Sequence, residues 1–222
     1  LQCCNPKQLL NVLDLCAAPG GKSTHLLSLM NNESLLVSNE VIRSRASVLA
    51  ENIQKWGYNN VVITNNDPAD FQRLPGFFDV LVVDAPCSGE GLFRKDPQAM
   101  QEWSPDNIAI CAKRQQRILS DSWPCLKEGG LLIYSTCTYN ESENEENLKW
   151  LKKEYGVEFI ALEIDERWGV EMVNLSNTIG YRLSPHRVVG EGFFLFLMRT
   201  KTNDGGSRVS SKNSLDNPPR QV

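Results

Sequence analysis

The chain has little with which to hold a metal. Only two histidines, His25 and His186, stand among its 222 residues, and none of its seven cysteines pairs at CxxC spacing. Zinc sites draw on those ligands at close spacings, so no metal is expected. No apolar run approaches the roughly 18 residues that a membrane-spanning helix needs, so no membrane partner is expected. Leu1-Gln2-Cys3-Cys4-Asn5-Pro6 lacks the basic and then apolar segments of a secretory leader. The cysteines are therefore expected to stay reduced, in the cytoplasm. An initiator Met is also lacking, and a core strand follows almost at once, so a fragment of a longer protein is expected. Nor is there an excess of positive charge: 23 Lys and Arg stand against 27 Asp and Glu, for a net charge of −4. A chain-wide electrostatic grip on nucleic acid is thus excluded, and any such grip must be local or lie in a segment outside this sequence.

What is present is enough apolar residue, 41% of the chain, for one buried core. Short apolar runs alternate with helical spacing. Strands are predicted at 12–16, 35–40, 61–64, 78–85, 131–136, 157–162 and 193–198. Helices are predicted at 23–30, 43–56, 105–126 with a break near Pro124, and 143–155. This alternation predicts an α/β fold: a mostly parallel, seven-stranded, doubly wound sheet with helices on both faces. The last strand follows a loop-rich segment and is expected to return antiparallel beside the fifth. Residues 1–200 are read as the folded domain. Residues 201–222, rich in Ser, Asn, Gly and Pro, are read as a disordered tail or linker. A monomer is expected.

Ligands of such sheets bind beyond the carboxyl ends of the strands. The first strand runs into Asp14-Leu15-Cys16-Ala17-Ala18-Pro19-Gly20-Gly21-Lys22-Ser23-Thr24. A P-loop needs a Gly where Cys16 stands, and the dinucleotide fingerprint GxGxxG is absent. A third reading is a turn for S-adenosylmethionine, where small residues let the backbone approach the cofactor. Acidic residues at later strand ends favour it: Glu40 for the ribose hydroxyls, Asp67 for the adenine amino group, and Asp84. Any one alone reads equally as a solvated loop carboxylate.

Two further segments leave central strands at polar, small-residue turns. They are Asp84-Ala85-Pro86-Cys87-Ser88-Gly89-Glu90-Gly91 and Tyr134-Ser135-Thr136-Cys137-Thr138-Tyr139. Cys111 and Cys125, on a helical stretch, read as apolar filler. Cys87 and Cys137 do not, because both would face the cofactor crevice. Two thiols and an acid suit methylation of cytosine at carbon 5. A thiolate adds at carbon 6, an acid steadies charge at ring nitrogen 3, and a second thiol helps release the product.

These segments resemble the RNA cytosine-5 methyltransferases of the Sun/Fmu type, over residues 12–199. The motifs are Asp14 to Lys22, Asp84 to Gly89, and Ser135-Thr136-Cys137-Thr138. The resemblance implies a class I S-adenosylmethionine-dependent methyltransferase fold, Rossmann-like, with Cys137 as nucleophile and Cys87 aiding release. It implies cofactor contacts from Cys16, Ala17, Ala18, Pro19, Gly20, Gly21, Lys22, Glu40, Asp67 and Asp84. The segment 90–97 with Trp103-Ser104-Pro105 is most similar to the branch acting on bacterial small-subunit ribosomal RNA, with transfer RNA as the alternative substrate. Members carry RNA-binding regions before this domain, and many of the ribosomal branch one after it. A catalytically silent RNA-binding scaffold and a DNA cytosine-5 methyltransferase are the competing readings; the intact Asp84 and Cys87 argue against the first, Cys137 against both.

Arg43, Arg45, Arg94, Lys95, Lys113, Arg114 and Arg117 are candidate phosphate contacts, each equally readable as a solvated charge. Phe93 and Trp103 are candidate base platforms. Arg182, His186 and Arg187 are candidates for gripping RNA. The acidic run 141–146 is explained by the dipole of the helix it begins.

Overall fold

The computed structural model describes residues 3–5, 7–175 and 177–202. The tail expected from residue 201 lies almost wholly outside these residues.

Nine strands form one sheet in the order β3-β2-β1-β4-β5-β9-β8-β7, with β6 pairing on β9. The first five are β1 (Asn11–Asp14), β2 (Leu35–Asn39), β3 (Val61–Thr64), β4 (Phe78–Asp84) and β5 (Leu126–Thr136). All pair in parallel. Parallel neighbours need crossover connections, and α1 (Gly21–Leu29), α2 (Arg43–Trp56) and α4 (Pro105–Ser122) supply three of them. A short helix, α3 (Pro97–Glu102), precedes α4, and α5 (Glu145–Tyr155) follows β5. The last strand, β9 (Phe193–Arg199), runs antiparallel beside β5 as expected, with Tyr134 opposite Phe196.

Alternation along each central strand divides the core in two. Leu13, Leu81, Val83, Leu132 and Tyr134 face Ile118, Leu119, Leu148 and Leu151 of α4 and α5. Val12, Val80, Val82 and Leu131 face Leu27, Leu49 and Ile53 of α1 and α2. Tyr134 stacks on Phe196 with ring centroids 4.7 Å apart. Ser104 begins α4 by accepting the Asn107 N–H, with Pro105 in the first turn. Gly57 ends α2 at φ 84.

The sheet has two strands more than the seven expected. The segment read as loop-rich folds as a hairpin of β7 (Glu171–Leu175) and β8 (Thr178–Leu183). Asn177 turns it in the left-handed region at φ 62. Their apolar residues are interrupted by Glu171, Asn174, Gly180 and Arg182, so no apolar run announced them. Conversely, β6 is only Glu158–Phe159, because β9 offers it two partners, Arg199 and Met198.

Strand order reverses between β1 and β4, which opens the crevice at their carboxyl ends. Asp14, wholly buried there, accepts the Ser23 hydroxyl at 2.6 Å. Burial raises its carboxyl from the ordinary 3.8 to about 6, against the lowering effect of Ser23. A carboxyl raised on folding stabilises fully below its unfolded value, and that contribution is lost as pH rises through the folded one. Two units correspond to roughly 3 kcal/mol. Wild type should therefore lose about that much stability relative to Asp14→Asn between pH 4 and pH 7 in urea titrations. A constant difference across that window would contradict the burial account.

Candidate active site

At the crevice lies a cavity of about 680 Å³, lined among others by Cys16, Glu40, Asp67, Asp84, Cys87 and Cys137. That size suits a nucleoside-bearing cofactor together with a base. Most of the residues singled out in the sequence thus meet in one place.

The turn after β1 forms its floor. The Ala17 N–H donates to the Asn39 carbonyl at 2.8 Å, while the Asn39 amide donates to the Leu15 and Asn66 carbonyls. The Asn39 side-chain oxygen accepts from Thr64 and from the Asn66 N–H. Wholly buried, Asn39 therefore ties the ends of β1, β2 and β3. The Ala18 carbonyl accepts from Arg45 and the Pro19 carbonyl from Asn52. Gly20 starts α1 at φ 114, and a Cβ there would meet Leu49 at 3.2 Å. Burial, then the charges of Asp14, Glu40 and Asp84, push the Cys16 thiol up. Cys16 is a wall of the cavity and no nucleophile.

Glu40 is buried, and its Oε1 accepts the Ile42 N–H at 3.0 Å. Oε2 lies 3.2 Å from the Arg45 guanidinium, yet it has no aligned hydrogen-bond donor. A buried carboxylate oxygen without a donor, at the end of β2 and on the cavity wall, fits a ribose diol. Asp67 is engaged differently from expectation. Its carboxylate accepts the Ala69 N–H and a two-pronged bond from Arg117 at 2.7 and 2.8 Å. These hold it below the usual carboxylate range, the Ala69 bond first and Arg117 next, against slight burial. Asp67 caps a helical turn, Pro68–Arg73, as well as lining the cavity.

Asp84 ends β4 with both oxygens engaged. Lys22 donates to Oδ2 at 2.7 Å and the Ser135 hydroxyl to Oδ1 at 2.7 Å. The Lys22 ammonium also sits 5.1 Å above the Phe193 ring. Beyond them the sulfurs of Cys87 and Cys137 are 3.3 Å apart. Their hydrogen bond separates the two thiols. Cys137 is drawn below the ordinary thiol value, first by the Cys87 bond, and the Lys22 charge helps. Cys87 is pushed far above it, by the same bond and by burial. Either sulfur can be the donor of this bond; with the proton on Cys87, Cys137 is the readier thiolate.

Cys111 and Cys125 are buried filler as expected, and α4 carries the first. The candidate phosphate contacts fare unevenly. Arg43 and Lys113 are exposed and Arg114 lines the cavity. Arg45 and Arg117 hold the cavity wall, Arg94 donates to the Gly190 carbonyl, and Lys95 pairs with Glu191. Arg182 is paired with the buried Glu145 and covers Phe194, so it serves the sheet rather than an RNA grip. Arg187 pairs with Glu171. Phe93 and Trp103 meet edge to face at 6.5 Å, and the Trp103 indole donates to Glu90. Among the described residues, no group of three or more His, Cys, Asp or Glu could hold a metal ion, and no helix is long and apolar enough to cross a membrane.

Residues 1–199 match the family described as 16S rRNA methyltransferase RsmB/F. The chain belongs to this family. Among curated relatives, ribosomal RNA small subunit methyltransferase F of Escherichia coli O157:H7 is 45% identical over 154 residues. The match takes in 68% of this chain and 32% of that protein, so the chain spans about a third of the length of such relatives. The structure of NSun6 from Pyrococcus horikoshii with SFG is 28% identical, at a TM-score of 0.76 over 87% of this chain and 48% of that one. A SAM-dependent O-methyltransferase from Thermotoga maritima, 18% identical at TM-score 0.55 over 90% of this chain and 63% of that one, shares the fold.

Gly91 shows how tightly the RsmB/F site is closed. Its N–H donates to the Cys137 carbonyl at 2.7 Å, and a Cβ on it would stand 2.6 Å from that oxygen. Gly91→Ala should push the two cysteine loops apart and lower stability by about 1–3 kcal/mol in urea denaturation. Unchanged stability would show that the loops have slack.

Proposed function

We propose that this chain transfers a methyl group from S-adenosylmethionine to carbon 5 of cytosine in RNA, in the cytoplasm, with small-subunit ribosomal RNA as substrate. The observation that carries this reading is the pair of sulfurs 3.3 Å apart beside Asp84, at the neighbouring exits of β4 and β5. Family membership and the relatives' names support the substrate class.

S-adenosylmethionine, when bound, supplies an electrophilic methyl group on sulfur. Residues 16–22 would floor its site, Glu40 would take the ribose hydroxyls, and Asp67 or the neighbouring backbone the adenine. The Cys137 thiolate forms a bond to carbon 6 of cytosine, and the displaced ring electrons make carbon 5 nucleophilic. Asp84 faces ring nitrogen 3. Because Asp84 already accepts from Lys22, the proton that steadies nitrogen 3 belongs to the Lys22–Asp84 pair rather than to a lone acid. After methylation a base removes the carbon 5 proton, the carbon 5–carbon 6 double bond re-forms, and Cys137 leaves as thiolate. Cys87, donating to that sulfur, stabilises it both before attack and on departure. A silent scaffold would have no use for two thiols in this contact.

Cys137→Ala should lower methyl transfer to unmodified ribosomal RNA by at least about a thousandfold. Cys87→Ala should still attack and should accumulate a protein–RNA adduct that survives denaturation. Wild-type turnover by Cys137→Ala, measured with labelled cofactor, would remove it as nucleophile. An adduct kept by Cys137→Ala and lost by Cys87→Ala would exchange the two roles.

A further inference from the structure

Two carboxylates that do not line the cavity cross between the loops that carry the sulfurs. Glu90 follows Cys87 by three residues and reaches the Cys137 loop. Its Oε2 accepts the Thr138 hydroxyl at 2.8 Å, the Tyr139 N–H at 2.6 Å and the Asn140 N–H at 3.0 Å. Its Oε1 accepts the Trp103 indole at 2.9 Å. Glu143 follows Cys137 by six residues and reaches back. It accepts the Ser88 N–H at 3.0 and 3.3 Å, the Gln115 amide at 2.6 Å and the Asn140 amide at 2.7 Å. Between them the Ser88 and Thr138 hydroxyls meet at 2.9 Å.

Glu143 is wholly buried, and its donors named here are all uncharged. Burying a carboxylate is costly unless its lone pairs are filled, and an apolar residue would fill the same space at less cost. What a carboxylate adds is several strong acceptor positions at one point, which fix the donors relative to one another. Here the donors include the backbone N–H groups at Ser88, Tyr139 and Asn140, one or more residues beyond each sulfur. Burial pushes Glu90 up, but its bonds from Thr138, Tyr139, Trp103 and Asn140 outweigh that and hold it below the usual carboxylate range. It is therefore an anion at neutral pH.

We propose that Glu90 and Glu143 form a reciprocal clasp that sets the separation of the Cys87 and Cys137 sulfurs, and that both are positioning residues for the reaction. This rests on the reading of the two cysteines given above. The clasp acts through the loops, so its loss should lower kcat and leave cofactor affinity within about twofold, since neither residue lines the cavity.

The sulfur separation can be read without RNA. In glutathione buffers, the Cys137 thiolate attacks oxidised glutathione and releases one glutathione thiolate. The Cys87 thiolate then displaces the second and closes a Cys87–Cys137 disulfide. The equilibrium constant of that pair, measured by mass spectrometry of alkylated peptides from the full chain, reports how closely the sulfurs are held. Glu90→Ala and Glu143→Ala should each lower it by at least about tenfold, the effect of losing a hydrogen bond or two to a charged group. The folded fraction should be unchanged by circular dichroism. Glu90→Gln and Glu143→Gln keep one acceptor oxygen and should recover part of the loss; they carry the test if an alanine variant fails to fold. Wild-type constants in all the folded variants would overturn the clasp, as would failure of the wild-type pair to close at all. A tenfold change in a protein that methylates no cytosine would keep the clasp and reject the assigned reaction.

Discussion

The register of β4 against β5 governs the site. Asp84 stands opposite Ser135 at the last paired position of two parallel strands. Parallel strands leave a sheet on the same side, so the chain beyond Asp84 and the chain beyond Ser135 emerge together. Cys87 lies three residues past one and Cys137 two past the other. The Ser135 hydroxyl on Asp84 and the Ala85 N–H on the Ser135 carbonyl continue the pairing into the loops. A slip of one residue would turn Asp84 into the sheet's face and part the sulfurs. The apolar runs on both faces hold that register, so the core and the chemistry depend on one alignment.

Much of this could be read from the residues. Continuous apolar runs such as Val80-Leu81-Val82-Val83 mark strands buried on both faces, and they lie where the sequence placed them. The pairing of β9 beside β5 followed from a six-residue apolar run, 193–198, after a loop. The cysteines were told apart by neighbours: Gly, Ser and Thr around Cys87 and Cys137, helical periodicity around Cys111. What stayed hidden is polar structure made by contacts distant in sequence. Asn39 is a tie between three strand ends, made with partners 24 to 27 residues away. Glu143 looked like one more acid before a helix. Its partner Ser88 is 55 residues away, and nothing in the local pattern separates it from Glu141 or Glu146, which are exposed. The hairpin of β7 and β8 escaped notice because polar residues and Gly180 break up its apolar ones, leaving no apolar run.

Charges in the site are engaged in pairs. Lys22 holds Asp84, Arg117 holds Asp67, and Arg45 faces Glu40. Each cation that the sequence offers to an anionic ligand near the cavity thus already has an acid against it, Arg114 aside. The pairs fix the orientation of the acids on the cavity lining, where Arg45, Arg114 and Arg117 stand against Glu40, Asp67 and Asp84, so the lining is balanced in charge.

The central claim is that Cys137, not Cys87, bonds to the base. The most direct measurement is to react the chain, with S-adenosylmethionine, against ribosomal RNA containing 5-fluorocytosine. Fluorine at carbon 5 blocks release, so the covalent complex persists and its peptide can be sequenced by mass spectrometry. The account predicts the nucleotide on the peptide carrying Cys137. A nucleotide on the peptide carrying Cys87 would contradict it.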